Sequence, residues 1–102
     1  MDRRLELQIK LKKLLGSNNV YFQPPASIQL KYPCIVYSRN YGESTFADNG
    51  SYLYRTRYSV TIIDKDPDTK LIKKIIEAFQ YAAYDRHYTA DNLNHDVISI
   101  YY

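Results

Sequence analysis

The stretch YLYRTRYSVTII, residues 52–63, constrains the fold more than any other segment. Its residues repeat with a period of two, which a helix cannot present as a single face. One set is Tyr52, Tyr54, Thr56, Tyr58, Val60 and Ile62; the other is Leu53, Arg55, Arg57, Ser59, Thr61 and Ile63. The first set reads as the core side of a strand. The second has a polar middle and apolar ends, which suits either solvent or an interface. Turn chemistry closes both ends: Asp48-Asn49-Gly50 before it, and Asp64-Lys65-Asp66-Pro67-Asp68 after it. A chain built around such a strand must supply a sheet and something to cover it.

The rest of the sequence supplies both. Residues 30–41, LKYPCIVYSRNY, form a second strand, with Pro33 expected near its start or on an edge because proline donates no backbone hydrogen bond. Cys34 and Val36 share one face; Ile35, Tyr37 and Tyr41 share the other. Residues 81–90 and 94–102 read as a hairpin turning at Asp91-Asn92. Two helices are expected. The first, 2–15, carries Leu7, Leu11, Leu14 and Leu15 on one side and ends at Gly16. Leu5 and Ile9 fall on another side, and are explained equally by a domain wrapped round the helix or by contact with a second subunit. The second helix, 67–80, has Asp66 as its expected N-cap and Pro67 in its first turn. Leu71, Ile72, Ile75, Ile76 and Phe79 form its apolar face. Residues 17–29 connect the first helix to the sheet, with a short extended piece at Val20-Tyr21-Phe22. The expected fold is one α+β domain over residues 1–102. It has a mostly antiparallel sheet of about four strands, two helices packed on one face, and the order α-β-β-α-β-β.

Composition narrows the function. The chain has 102 residues, enough for a single domain. Its single Cys excludes an internal disulfide and a thiolate zinc cluster, and two His leave little for a histidine metal site. No stretch reaches the ~18 apolar residues of a membrane span. The basic N-terminus alternates charge with apolar residues, unlike a signal peptide, so synthesis in a reducing cytoplasm is expected. The net charge of +3 belongs to residues 1–15, where Arg3, Arg4, Lys10, Lys12 and Lys13 face Asp2 and Glu6; the remainder is neutral. A nucleic-acid-binding surface calls for a broader basic stripe. Tyrosine is the unusual residue: twelve, against three Phe and no Trp. It suits half-buried sheets and subunit contacts.

No residue set marks a reaction. Asp64, Asp66 and Asp68 have the spacing that opens a calcium loop, but Thr69 stands where glycine is needed and Ile75 where the closing glutamate is needed. Helix capping accounts for them. Asp85, His87, Asp91, His95 and Asp96 gather on the last hairpin, where His87 and His95 could face each other. Bonding of His95 and Asp96 to the turn backbone is the simpler reading. Cys34 reads as a small buried hydrophobe. The three glycines, at 16, 42 and 50, make no phosphate loop. No enzyme activity, cofactor or metal is expected. Phe46, in the 42–51 loop, has no evident core partner and is a contact candidate.

The segments LKYPCIVYSR (30–39), FADN…Y…RYSVTIIDKDPDT (46–69) and YDRHYTADNLNHDVISIYY (84–102) carry a resemblance. They resemble a family of small proteins from long-tailed phages and prophages of Gram-positive bacteria, labelled minor capsid or tail completion proteins. That family is similar in size and element order to tail terminators. The resemblance covers most of the chain after residue 20, and YTADNLNHDV is its most specific phrase. It implies a structural role in virion assembly: a homohexameric ring that caps the tail tube and presents the head–tail joining surface. The implied partners are further copies of the chain, the tail tube protein and a head completion or stopper protein. DNA would pass through the lumen without sequence-specific binding. The implied location is the tail–neck region of the virion, after synthesis in the host bacterium. A stopper at the head connector is the neighbouring alternative, and a small nucleic-acid-binding domain is the alternative from another class. The family offers no catalytic residues to carry over. Leu5, Ile9, Phe46, Arg55 and Arg57 are the candidates for subunit or tube contact.

Overall fold

The structure is a computed structural model and describes residues 3–40 and 56–102. It contains helix α1 (Arg3–Leu15), strands β1 (Val20–Phe22), β2 (Cys34–Arg39) and β3 (Arg57–Asp64), helix α2 (Leu71–Ala78), and strands β4 (Ala82–Ala90) and β5 (Leu93–Tyr101). The class is α+β, as expected. The sheet differs from expectation: it has five strands in the order β1-β2-β3-β5-β4, and it is mixed because β1 runs parallel to β2. The short piece at Val20–Phe22 is therefore a strand in its own right and forms one sheet edge. Its three residues give almost no periodic signal, so sequence reasoning places it in a connector.

Two-residue alternation divides the sheet into two faces. Ile35 and Tyr37 of β2, Tyr58, Val60 and Ile62 of β3, and Ile98 and Ile100 of β5 join Leu7 and Leu11 of α1 and Ile75 of α2 in one buried cluster. This is the helix face, and both helices cover it. The assignment of Tyr58, Val60 and Ile62 to the core side of β3 holds, as does the pairing of Ile35 with Tyr37. Complete burial of Leu7 and Leu11 contributes roughly 2–3 kcal/mol each. The opposite, open face carries a smaller cluster of Cys34, Ile63 and Leu93.

Helix α1 ends where expected. Gly16 adopts φ +83°, and its N–H donates to the Lys12 carbonyl at 2.8 Å. Helix α2 is shorter than the expected 67–80, and Asp66 does not cap it. Asp64 Oδ1 accepts the Asp66 N–H at 3.1 Å, and Asp66 Oδ1 accepts the Asp68 N–H at 2.9 Å. These successive side-chain turns hold residues 64–68 out of the helix, with Pro67 inside them. Thr69 Oγ1 then accepts the Leu71 N–H at 3.3 Å. Strand β2 begins at Cys34, directly after Pro33, because proline cannot extend the ladder. The final hairpin turns at Asp91 and Asn92, both with positive φ, as the sequence indicates. The 42–51 loop, Phe46, Arg55 and the N-terminal half of the expected 52–63 strand lie outside the described residues.

Candidate functional site

Three surfaces gather the polar and exposed apolar residues. The first is the outer side of α1. Leu5 and Ile9 are 43% and 45% exposed while Leu7 and Leu11 are fully buried. The domain therefore does not wrap the helix among the described residues, and a second apolar stripe faces outward. The basic residues around it are largely engaged with rings. The Arg3 guanidinium lies 4.3 Å from the centroid of Tyr102, that of Arg4 lies 4.5 Å from Phe22, and Lys10 Nζ lies 4.4 Å from Phe79. Cation–π attraction holds these charges against the body of the protein. Gln8 links α1 to the sheet: its Nε2 donates to the Val20 carbonyl at 3.2 Å, and its Oε1 accepts the Tyr37 hydroxyl. Burial pushes the Tyr37 phenol above its ordinary range.

The second surface is the open face of the sheet. Ser38, Ser59 and Ser99 form a row across β2, β3 and β5, and Arg57 pairs in register with Tyr101 one row beyond. Arg57 Nε is buried and has no hydrogen-bond partner among the described residues. At the other end of this face, Pro24, Pro25, Ile28, Ile63, Tyr88 and His95 line a shallow groove of about 330 Å³. Cys34 lies in the buried cluster of this face, and desolvation pushes its thiol up to about 11. At neutral pH it is a protonated, buried side chain and no nucleophile.

The third surface is the β4–β5 hairpin. A two-residue turn closes Ala90 on Leu93, which sets Tyr88 opposite His95 and His87 opposite Asp96. The two histidines therefore do not face each other; the one-residue offset sends them to opposite faces. His95 stacks on Tyr88 with ring centroids 4.7 Å apart, and its Nδ1 lies 3.2 Å from the Leu93 carbonyl. Asp96 does not bond the turn. It is buried on the helix face, where its Oδ1 accepts the Tyr84 hydroxyl at 2.8 Å and lies 2.9 Å from His87 Nδ1. The Asp96 carboxylate, as acceptor of that hydroxyl proton, holds the Tyr84 phenol above its ordinary range. A bulge between Tyr84 and Arg86 makes this cluster possible. With unbroken pairing Asp85 would sit opposite Ile98, and Tyr84 would fall opposite Ser99 on the open face.

The structure thus separates the described contact candidates. Leu5 and Ile9 lie on α1, outside the helix face, and Arg57 lies on the opposite side of the sheet. The Asp96 cluster is what sequence reasoning misses, because nothing in the residue pattern marks the bulge. Asp64, Asp66 and Asp68 are occupied in turns, and no group of three or more metal-ligating side chains forms among the described residues. In comparison with known proteins, the chain matches no family model, no curated protein and no solved structure.

Proposed function

We propose that this chain is a structural virion-assembly protein, a phage tail terminator that acts as a homohexameric ring. The observation that carries the reading is the second apolar stripe of α1. Leu5 and Ile9 face outward from a helix whose Leu7 and Leu11 are already fully buried. Isolated exposed aliphatic side chains are ordinary, but two of them one turn apart make a contact ridge. The resemblance of residues 30–39, 46–69 and 84–102 to tail completion proteins supplies the biological class. Ring subunits contact head to tail, so each needs two different surfaces. The α1 ridge and the open face around Arg57 lie on different sides of the sheet and meet that requirement.

The mechanism is geometric. The ring seats on the last ring of tube protein and offers no further tube-like surface, so growth stops. Its other side meets the head completion protein. The test is negative-stain imaging of tails assembled with wild-type chain, with a Leu5→Glu/Ile9→Glu variant, and with none. Capped tails of uniform length are expected with the wild type, and overlong tubes with the variant and without the protein. Tubes of equal length in all three samples would remove the reading. Salt-sensitive DNA binding without any effect on tubes would favour the nucleic-acid-binding class.

A further inference from the structure

Among the described residues, strand β4 is the long unpaired edge of the sheet. Eight of its nine residues are exposed, and Tyr84 and Tyr88 on it are 47% and 40% exposed. The hydrogen-bonding pattern along it follows from the turn. A two-residue hairpin turn closes on a hydrogen-bonded pair, here Ala90–Leu93, and such pairs alternate along an antiparallel ladder. Tyr88–His95 is the next, then Arg86–Val97 at the bulge, then Ala83–Ser99. The bond from Tyr101 N–H to the Tyr81 carbonyl, 2.9 Å, continues the series at the far end. The residues between, Ala82, Tyr84, His87 and Thr89, must point their N–H and C=O groups outward.

Their spacing is two, three, two. A regular strand presents outward groups at every second residue and falls out of register across the bulge, which is how bulges protect edges. A second copy of β4 running antiparallel presents the same spacing reversed, and two, three, two reads the same in both directions. We infer that the free protein pairs with itself through β4, about a two-fold axis at the bulge. Ala82 then lies opposite the partner subunit's Thr89, and Tyr84 opposite the partner subunit's His87. Asp85 lies opposite the partner subunit's Arg86. The pairing is therefore complementary in charge as well as in hydrogen bonds, and opposite charges across a ladder are favourable. Tyr84 and His87 flank the bulge on the helix face, both bonded to Asp96, so the edge is held in its pairing shape in the single chain.

This goes beyond the ring and does not rest on it. A two-fold contact closes on itself, whereas a ring needs head-to-tail contacts, and β4 is a surface the ring reading does not use. Sedimentation equilibrium tests it. The wild-type chain is expected as a dimer of 12.0 kDa subunits in exchange with monomer. Asp85→Arg and Arg86→Asp alone each place like charges opposite one another. Each should weaken the dimer about tenfold or more, equivalent to about 1.4 kcal/mol. The double variant D85R/R86D restores opposite charges and should regain most of the affinity. Thr89→Pro removes an outward N–H that β5 does not use, so it should abolish the dimer with the circular dichroism spectrum unchanged. A monomer at every concentration overturns the inference. So do single variants that associate as tightly as wild type, a double variant no tighter than the singles, or a larger species unaffected by D85R. Tube length decides the ring separately.

Discussion

Asp96 shows how much one buried carboxylate organises. It is 4% exposed, and its Oδ1 holds both Tyr84 and His87. Asp96→Ala removes the partner of both side chains and should lower the midpoint of urea unfolding. Its link to Tyr84 also has a sign. The phenol sits above its ordinary range in the folded chain, so the folded state retains that proton longer than the unfolded one. The stabilisation is fully present below the unfolded tyrosine range, near pH 10, and is lost as pH rises through the folded value. Tyr84→Phe should flatten that part of the alkaline stability profile. Cys34 gives a simpler case. With its thiol at about 11 and its side chain buried, iodoacetamide at pH 8 should modify it only after unfolding. The reading of Cys34 as a buried hydrophobe was available from its residue type within a strand. The Asp96 cluster was not: it depends on a bulge, and the register shift there decides which face Tyr84 occupies.

Among the elements, legibility follows length. Strand β3 and the hairpin turn were readable because alternation and paired turn residues extend over many positions. Strand β1 was not, because three residues carry no period and their parallel partner lies more than ten residues on. The start of α2 was misplaced for a different reason. Asp66-Pro67 is a sound helix opening by residue preference, but the same aspartate bonds its own downstream backbone. With Asp64 doing likewise, the turn outcompetes the helix. The stop of α1 was readable because Gly16 takes the left-handed conformation that other residues resist. Gly16→Ala places a Cβ in open space yet at φ +83°, and should cost about 1 kcal/mol through backbone strain alone. Thermal unfolding monitored at 222 nm would read it.

On the scale of the whole molecule, the net charge is less available than the composition suggests. Arg3, Arg4 and Lys10 sit over Tyr102, Phe22 and Phe79, so part of the basic excess of α1 fastens the helix to the body of the protein. Weak DNA binding with a shallow salt slope is expected in electrophoretic mobility assays, since few phosphates can be neutralised. The outward stripe behaves oppositely. Leu5→Glu/Ile9→Glu changes two half-exposed side chains and leaves Leu7 and Leu11 in place, so thermal stability should change by less than about 0.5 kcal/mol. The α+β class and the two-sided nature of α1 were legible in the sequence. The separation of α1 and Arg57 onto opposite sides was legible too, because alternation sets Arg57 off the core side of its strand and the helices cover that core side.

That strand order bears on synthesis. The order β1-β2-β3-β5-β4 places β5 between β3 and β4, although β5 is translated after both. Until β5 has left the ribosome, β3 has one unfilled flank and Ile98 and Ile100 are missing from the core. A nascent chain arrested before residue 93 can form at most the β1–β2–β3 half of the sheet. Its unfilled flank is open to other nascent chains, and the last nine residues of the ladder convert that liability into a closed core in a single step.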